Sequence, residues 1–237
     1  MHKLNKIALI TGASSGIGKS LSFELCKKGY DLILASRNTK RLNETANLVS
    51  DLGGKAHVVE LDITSDESVE KLFIESKKVG FVDVVINNAG FGKFDRIQNI
   101  KTEDWDNQMS VNLRGAFLIT KWFSSSMIDN KKGTFVYINS VAGKKAYPYS
   151  SAYVASKFGL LGFSRSIREE LREHNIKVIS IHPGAVDTDF WNNIDVDFPR
   201  DEMMSSDNVA KTISHAIFAP KNIVLEEIDI QRTEGDF

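Results

Sequence analysis

Short, almost continuously apolar runs alternate along the chain with longer segments of helical periodicity, and this alternation most constrains the fold. Strands are predicted over seven runs: 6–11, 31–36, 56–62, 82–87, 134–140, 177–183 and 223–230. Most of these runs are apolar nearly throughout, as expected for strands that are covered on both faces. Helices are predicted between them, over 17–28, 39–51, 66–78, 103–128, 151–173 and 206–218. The alternation favours a parallel sheet with helices on both of its faces.

Right-handed crossovers make this arrangement a doubly wound, Rossmann-like α/β fold with a seven-stranded parallel sheet. The 237 residues contain four prolines and no internal repeat, low-complexity tract or linker, so a single domain over 1–237 is predicted. The longest stretch without periodicity is 185–204. A loop of that length indicates either a lid over a site or a segment that packs on its own body.

Composition argues against several classes of protein. The formal net charge of −1 provides no global field that would draw the chain to nucleic acid or to an anionic membrane. A single cysteine, Cys26, rules out an intramolecular disulfide framework and fits a reducing compartment. The first residues lack the apolar run of a signal peptide, and no segment approaches membrane-spanning length. A cytoplasmic protein is therefore expected. The five histidines show no ligand spacing, so no metal site is expected.

A glycine-rich turn follows the first predicted strand. It contains Gly12, Gly16 and Gly18, a spacing that differs from the usual G-x-G-x-x-G fingerprint of dinucleotide sites. Glycines at such positions allow a sharp turn, close approach of a pyrophosphate and tight packing of the helix on the sheet. The helix that follows would direct its free N–H groups and the positive end of its dipole at the phosphates. A glycine-rich turn without a ligand is the alternative, and the spacing alone leaves both open.

A tyrosine and a lysine lie four residues apart in the predicted helix over 151–173. Tyr153 and Lys157 therefore share one face of a segment that is otherwise small and apolar. A tyrosine and a lysine at this spacing are commonly just part of the exposed face of an amphipathic helix. A free tyrosine has a pKa of about 10, and a neighbouring ammonium would lower that pKa toward the working range of an acid–base catalyst.

Six motifs in register resemble those of the short-chain dehydrogenase/reductase family. They are TGASSGIG at 11–18, NNAG at 87–90, Asn112 in VNLRG, Ser140 at the end of the fifth strand, YVASK at 153–157 and HPGAVDT at 182–188. The resemblance covers nearly the whole chain and implies an oxidoreductase that transfers a hydride between a nicotinamide cofactor and a small carbonyl or secondary alcohol. The end of the chain lacks the glycine-rich tail of the fatty-acid-synthesis ketoacyl reductases, which leaves the substrate open.

The resemblance also implies the catalytic residues, Asn112, Ser140, Tyr153 and Lys157. Tyr153 would be the general acid in reduction and the general base in oxidation. Ser140 would donate to or orient the substrate oxygen, where negative charge develops. Lys157 would hydrogen-bond the nicotinamide ribose, and Asn112 would hold a water-linked proton route from that lysine.

The end of the second predicted strand favours NADP(H) as the cofactor. NAD enzymes commonly have an acid there, but this chain has Ser36 followed by Arg37, whose guanidinium can fork two hydrogen bonds to a 2′-phosphate. Arg37 as a plain surface residue is the alternative. The resemblance implies that Asn87 lines the cofactor cleft and that further contacts come from Gly12, Ser14, Ser15, Gly16, Ile17, Gly18, Asp62, Ile63, Asn88, Ala89, Gly90, Tyr153, Lys157, Pro183, Gly184, Val186 and Thr188.

Two rival functions stay open. A catalytically silent NADP(H)-sensing regulator would keep the fold but would not need a proton donor. An NAD-dependent dehydrogenase would differ chiefly at Ser36 and Arg37.

The substrate pocket and the oligomeric state are weaker expectations. Candidate pocket walls are the aromatic residues and prolines just before 151 and the apolar residues of the long loop, namely Tyr147, Pro148, Tyr149, Phe190, Trp191, Phe198, Met203 and Met204. The apolar stripes on the helices over 103–128 and 151–173 exceed what one subunit can readily bury. By analogy with the family, a homodimer or homotetramer is expected.

Overall fold

A parallel sheet of seven strands organises the computed structural model, which describes residues 6–194 and 199–236. The strands of the chain are β1 (Lys6–Thr11), β2 (Tyr30–Ser36), β3 (Ala56–Glu60), β4 (Val82–Asn87), β5 (Gly133–Ile138), β6 (Ile176–Pro183), β7 (Val186–Asp187), β8 (Met204–Ser205) and β9 (Glu227–Ile230). The large sheet has the order β3-β2-β1-β4-β5-β6-β9, and β7 pairs with β8 in a small sheet of their own. Phe198 and part of the chain's start, on which sequence-based expectations were stated, lie outside the described residues.

Seven α-helices connect these strands in the described part of the chain. They are α1 (Gly16–Lys27), α2 (Thr39–Asp51), α3 (Asp66–Val79), α4 (Thr102–Met109), α5 (Gly115–Asn130), α6 (Ser151–Leu171) and α7 (Ser206–Ile217). A π-helical turn over Ser110–Arg114 joins α4 to α5. None of the helices in the described ranges is long and apolar enough to cross a membrane.

Buried apolar side chains form two layers, one on each face of the sheet. One layer packs between the sheet and α3, α5 and α6, and the other between the sheet and α1, α2 and α7. The neighbours Leu9 and Ile10 in β1 point to opposite layers, as the period of two in a strand requires. The doubly wound parallel sheet predicted from the sequence is therefore confirmed.

Most predicted ends are within two residues of those in the structure, and two predicted elements differ by more than that. The single helix expected over 103–128 is α4, the π-helical turn and α5 in succession. The last strand is confined to Glu227–Ile230 instead of 223–230. Just before it, the buried guanidinium of Arg168 donates to the carbonyls of Val178 (3.3 Å) and Glu226 (2.9 Å), and the backbone N–H of Ser180 also donates to the Glu226 carbonyl.

The strand order fixes where a ligand can bind. β1 pairs with β2 on one side and with β4 on the other, so the connections leave the sheet in opposite directions between β1 and β4. Ligands of open α/β sheets bind in the crevice at the carboxyl ends of the strands at such a switch point. The glycine-rich turn after β1 and the NNAG segment at the end of β4 both lie at this crevice.

Candidate active site

The three glycines after β1 form a cradle that side chains would fill. Gly12 has a φ of +66° and Gly16 a φ of +52°, in the left-handed region that favours glycine. A Cβ on Gly18 would lie 2.4 Å from Nδ2 of Asn88 and 2.5 Å from the carbonyl oxygen of Gly12, so α1 approaches the turn too closely for any side chain. A Cβ on Gly16 would lie 3.0 Å from Cγ2 of Thr188, which places that predicted cofactor residue across the cradle.

The first turn of α1 offers free N–H groups at this cradle. Ser15 is the N-cap residue, yet none of the described side chains caps the turn, and the turn contains no acidic residue. Ser14 precedes this turn and Ile17 lies within it. Both side chains are half-buried, and Ile17 packs on the apolar layer formed with α1, α2 and α7. Uncapped N–H groups at the positive end of a helix dipole bind anions.

Thr11 joins the ends of β1 and β4, a role that the sequence analysis missed. Its hydroxyl oxygen accepts from the amides of Asn88 (3.0 Å) and Ala89 (3.1 Å) and donates to the carbonyl of Ile86 (3.2 Å). The side-chain amide of Asn88 donates in turn to the backbone carbonyls of Thr11 and Gly12. Asn88 and Ala89 thus shape the cleft, and the threonine that precedes the first glycine was the available signal.

Asn87, at the end of β4, is buried, and its amide oxygen and nitrogen find no partner among the described residues. Gly90, three residues further along the chain, lies next to the predicted catalytic residues. A Cβ there would lie 3.2 Å from Oδ1 of Asn112 and 3.7 Å from Nζ of Lys157. The NNAG segment therefore passes directly against two predicted catalytic residues.

The predicted cofactor residues at the ends of β2 and β3 lie on the far side of the cradle. The Ser36 hydroxyl accepts from the amide of Asn38 at 3.2 Å, and Arg37 is exposed beside it. Hydrogen bonds from Thr64 lower the pKa of Asp62, and the charge of Arg37 lowers it further. Arg37 and Asp62 are thus electrostatic neighbours, as expected of two groups that face one nucleotide.

Ile63 is placed differently from its neighbours. Its side chain is buried in the apolar layer under α5, where a Cβ on Gly115 would meet it at 2.7 Å. Only its backbone is available to a ligand.

The segment after β6 closes the cleft from the other side. Pro183 ends β6, and a Cβ on Gly184 would lie 2.1 Å from the side chain of Gln231. Val186 is buried, and its carbonyl accepts from the indole of Trp191 at 3.0 Å. Of this predicted group, Thr188 faces the cradle, whereas Gly184 and Val186 pack against protein.

Asn112 lies in the π-helical turn and is buried. Its amide oxygen accepts from the backbone N–H of Phe91 at 3.0 Å, and its nitrogen donates to the carbonyl of Phe91 (2.9 Å) and to the hydroxyl of Ser156 (3.0 Å). Ser156 in turn donates to the carbonyl of Tyr153 at 2.7 Å. π-Helical turns are frequent at functional sites, and this one fixes Asn112 beside the catalytic helix. Ser156 was not among the predicted site residues, although it lies within the YVASK motif.

Ser140, Tyr153 and Lys157 converge at the carboxyl end of β5. Ser140 caps a short turn with its hydroxyl, which accepts from the amide of Ala142 at 3.1 Å and also hydrogen-bonds the Tyr153 phenol. The buried ammonium of Lys157 donates to the carbonyl of Ile138 at 2.9 Å. Its Nζ lies 5.7 Å from the centre of the Tyr153 ring. All four predicted catalytic residues are therefore brought together.

The expected lowering of the tyrosine pKa is wrong for this structure. Burial raises the pKa of Tyr153 to about 12, and the hydrogen bond with Ser140 offsets only part of that rise. Burial also lowers the pKa of Lys157 to about 8. The ammonium is directed at a backbone carbonyl, so desolvation outweighs its attraction for a phenolate. At neutral pH the phenol is protonated and able to donate.

The residues around the cleft fit a nicotinamide dinucleotide. The glycine cradle and the uncapped first turn of α1 suit a pyrophosphate, and Arg37 is an exposed cation beyond the end of β2. At the other end of the cleft, the phenol of Tyr153 and the ammonium of Lys157 would flank the nicotinamide.

Comparison with known proteins supports this arrangement. Residues 6–197 match the family model of short chain dehydrogenases. The chain is 32% identical over 241 residues to a sepiapterin reductase of Chlorobaculum tepidum, with 98% of each chain covered. An alcohol dehydrogenase from the archaeon Thermococcus sibiricus, complexed with 5-hydroxy-NADP, superposes with a TM-score of 0.90 at 29% identity over 96% of this chain and 97% of that one. A metagenomic short-chain oxidoreductase in complex with NADP gives a TM-score of 0.86 at 28% identity, with 97% and 98% covered.

The match to the family model, the extent of these likenesses and the convergence of the serine, tyrosine and lysine agree with one another. The chain belongs to the short-chain dehydrogenase/reductase family of oxidoreductases.

Proposed function

We propose that this protein is an NADP(H)-dependent oxidoreductase that interconverts a carbonyl compound and a secondary alcohol, with Tyr153 as the general acid and base. The observation that carries the proposal is the convergence of Ser140, the Tyr153 phenol and the buried ammonium of Lys157 at the carboxyl end of β5. A proton donor held in a partly desolvated site has a clear use when a carbonyl oxygen gains negative charge.

The hydride for the carbonyl carbon would come from the nicotinamide of NADPH held in the cleft. The Tyr153 hydroxyl gives its proton to the carbonyl oxygen, so the alcohol forms as the phenol becomes a phenolate. Ser140 donates a hydrogen bond to the same oxygen and stabilises the developing charge. The ammonium of Lys157 stabilises the phenolate until a proton returns from solvent along a water-linked route from that lysine, which Asn112 would hold. In oxidation the same residues act in the reverse order.

NADP(H) is favoured over NAD(H) by the groups at the end of β2. Ser36 has no charge to repel a 2′-phosphate, and the exposed Arg37 can pair with it. The two solved relatives described above carry NADP or a derivative of it. An NAD-dependent dehydrogenase is the alternative that a change at Arg37 distinguishes.

A cofactor-sensing regulator is the alternative from another class. It would need the cradle but would have no use for the Ser140–Tyr153 hydrogen bond. We further propose a cytoplasmic homodimer or homotetramer that associates through α5 and α6, because Phe117 and Phe158 on these helices are 44% and 46% exposed.

The test is oxidation of NADPH and NADH by the purified protein with a panel of aldehydes, ketones and diketones. Sepiapterin belongs in that panel because a relative is named for its reduction. Turnover with NADPH supports the proposal. Tight binding of NADPH without its consumption by any carbonyl would favour the sensor.

A further inference from the structure

The catalytic tyrosine belongs to a cluster of four aromatic side chains, which we call the aromatic cluster. The ring centre of Tyr153 lies 5.6 Å from that of Phe94 and 5.4 Å from that of Phe190, and the two phenylalanine rings are 6.2 Å apart. Trp191 extends the cluster at 5.3 Å from Phe190. Phe94 comes from the loop after β4 and Phe190 from the loop after β7, so two separate segments converge on one phenol.

Core packing does not account for this aromatic cluster. Its four members are half-buried, and none of them belongs to either of the apolar layers that flank the sheet. A half-buried ring leaves part of its face open to whatever enters the site. A partly exposed group of large apolar side chains beside a catalytic residue is a surface that a ligand can cover.

Gly92 makes room for the cluster. A Cβ on this residue would lie 2.7 Å from Cζ of Phe190 and 2.9 Å from Cε1 of Phe94. Any side chain here would push both rings away from Tyr153. The close approach of the two phenylalanines therefore depends on a glycine in the loop beneath them.

The loop that carries Phe190 is held by several polar contacts. Asp189, the residue before Phe190, pairs with Arg41 of α2 at 2.5 Å. Arg200 donates to the carboxylate of Asp187 (2.7 Å) and to the carbonyl of Thr188 (2.8 Å). These contacts hold the backbone immediately before Phe190, which restricts where its ring can lie before any ligand binds.

We propose that the aromatic cluster is the substrate-selecting wall of the active site and that it favours flat, conjugated carbonyl compounds, in which the carbonyl is attached to an aromatic ring. This inference rests on the proposed function, since the carbonyl must reach the Tyr153 hydroxyl. A planar ring meets the cluster with offset or edge-to-face contacts, whereas a saturated ring of the same size gains only apolar burial. Aromatic pairs contribute a factor of about 2 to 10 beyond burial.

The experiment compares two ketones that share a carbon skeleton, acetophenone and cyclohexyl methyl ketone. The ratio of their kcat/KM values with NADPH is measured for the wild type and for Phe94→Leu and Phe190→Leu. Each leucine keeps an apolar side chain but removes an aromatic ring. We expect each variant to lower the ratio about threefold to tenfold, because turnover of acetophenone should fall more than turnover of the cyclohexyl ketone.

Phe218→Leu is the matched control, because Phe218 is also half-buried and also pairs with an aromatic ring, that of Tyr30 at 5.6 Å, at the opposite edge of the sheet. An equal fall of the ratio in this control, or an unchanged ratio in both cluster variants, would overturn the inference. Turnover of both ketones by the wild type would at the same time leave the proposed function standing.

A binding measurement covers the case in which neither ketone is reduced. The NADP-loaded protein is titrated calorimetrically with benzamide and with cyclohexanecarboxamide, which present the same two ring types on a carbonyl that hydride does not reduce. Tighter binding of benzamide that Phe190→Leu abolishes supports the aromatic wall even if the proposed reduction fails. Equal affinities for the two amides in the wild type contradict it.

Discussion

The ammonium of Lys157 donates to the backbone carbonyl of Ile138 at 2.9 Å while its nitrogen lies 5.7 Å from the ring centre of Tyr153. The lysine is therefore anchored to the end of β5, the strand that leads to Ser140. Its position fixes a positive charge close to the phenol without a direct hydrogen bond in this state. Burial consequently governs both pKa values, raising that of Tyr153 and lowering that of Lys157.

The pH dependence should differ between the two directions of the reaction. Because burial raises the pKa of Tyr153 to about 12, the phenol stays protonated at neutral pH. Reduction, which needs the phenol, should be nearly constant between about pH 6 and pH 7, whereas oxidation, which needs the phenolate, should rise about tenfold per pH unit over the same range, which lies below the Lys157 pKa of about 8. Initial rates of both directions at saturating cofactor check this. An oxidation rate that levels off below pH 7 would show that the phenol titrates far lower.

Ser156→Ala should impair catalysis through Asn112. The Ser156 hydroxyl accepts from the Asn112 amide and donates to the Tyr153 carbonyl, so its loss leaves a buried donor with one partner fewer. We expect a stability loss of about 1–3 kcal/mol, measured by denaturant unfolding. We also expect kcat to fall more than KM rises, because the residue acts on the geometry of the site. Ser156→Thr, which keeps the hydroxyl, should recover part of kcat; equal kcat values for the two variants would contradict the positioning role.

Gly18→Ala should damage both stability and cofactor binding. The added Cβ would lie 2.4 Å from Asn88 and 2.5 Å from the Gly12 carbonyl, so the turn must shift. Such overpacking costs about 1–3 kcal/mol. Gly162→Ala is the matched control, because it lies within α6 with no atom within 4 Å of the added Cβ, and it should stabilise the protein by up to about 1 kcal/mol. Thermal unfolding and NADPH titration of both variants test the contrast, which equal effects would refute.

Arg37→Asp should change the cofactor preference. The carboxylate would repel a 2′-phosphate that the guanidinium attracts, so NADPH should lose at least about tenfold in affinity while NADH loses little. Lys71→Asp makes the same charge change on the exposed surface of α3 and should leave the preference unaltered. Fluorescence titration with both cofactors gives the two affinities. Equal losses for NADPH and NADH would remove the basis for assigning NADP(H).

Much of the fold could be predicted because strands that are buried on both faces are recognisable in the sequence as short, continuous apolar runs. The sheet and the motifs at its carboxyl edge are examples. The ends of some elements were not predictable: Ile223, Val224 and Leu225 extend the apolar run, yet β9 begins only at Glu227. The π-helical turn was likewise missed, since its spacing departs from a regular helix by one residue.

The catalytic residues were predictable from their motifs, but their environment was not. Phe190 was a candidate pocket wall, but no pattern near Tyr153 indicated that Phe190 and Phe94 would pack on its ring, because both come from irregular loops distant in the chain. The direction of the Tyr153 pKa shift was also mispredicted. Sequence places the lysine on the same face as the phenol, but only the packed structure shows how far each group is desolvated.

The most direct test of the central claim is single-turnover reduction of a carbonyl by NADPH with Tyr153→Phe, alongside NADPH affinity for the same variant. The phenylalanine keeps the ring and its contacts with Phe94 and Phe190 but removes the proton donor. We predict that NADPH affinity stays within about threefold of the wild type while the rate falls by at least about 100-fold. A rate close to that of the wild type would contradict the assignment of Tyr153 as the general acid.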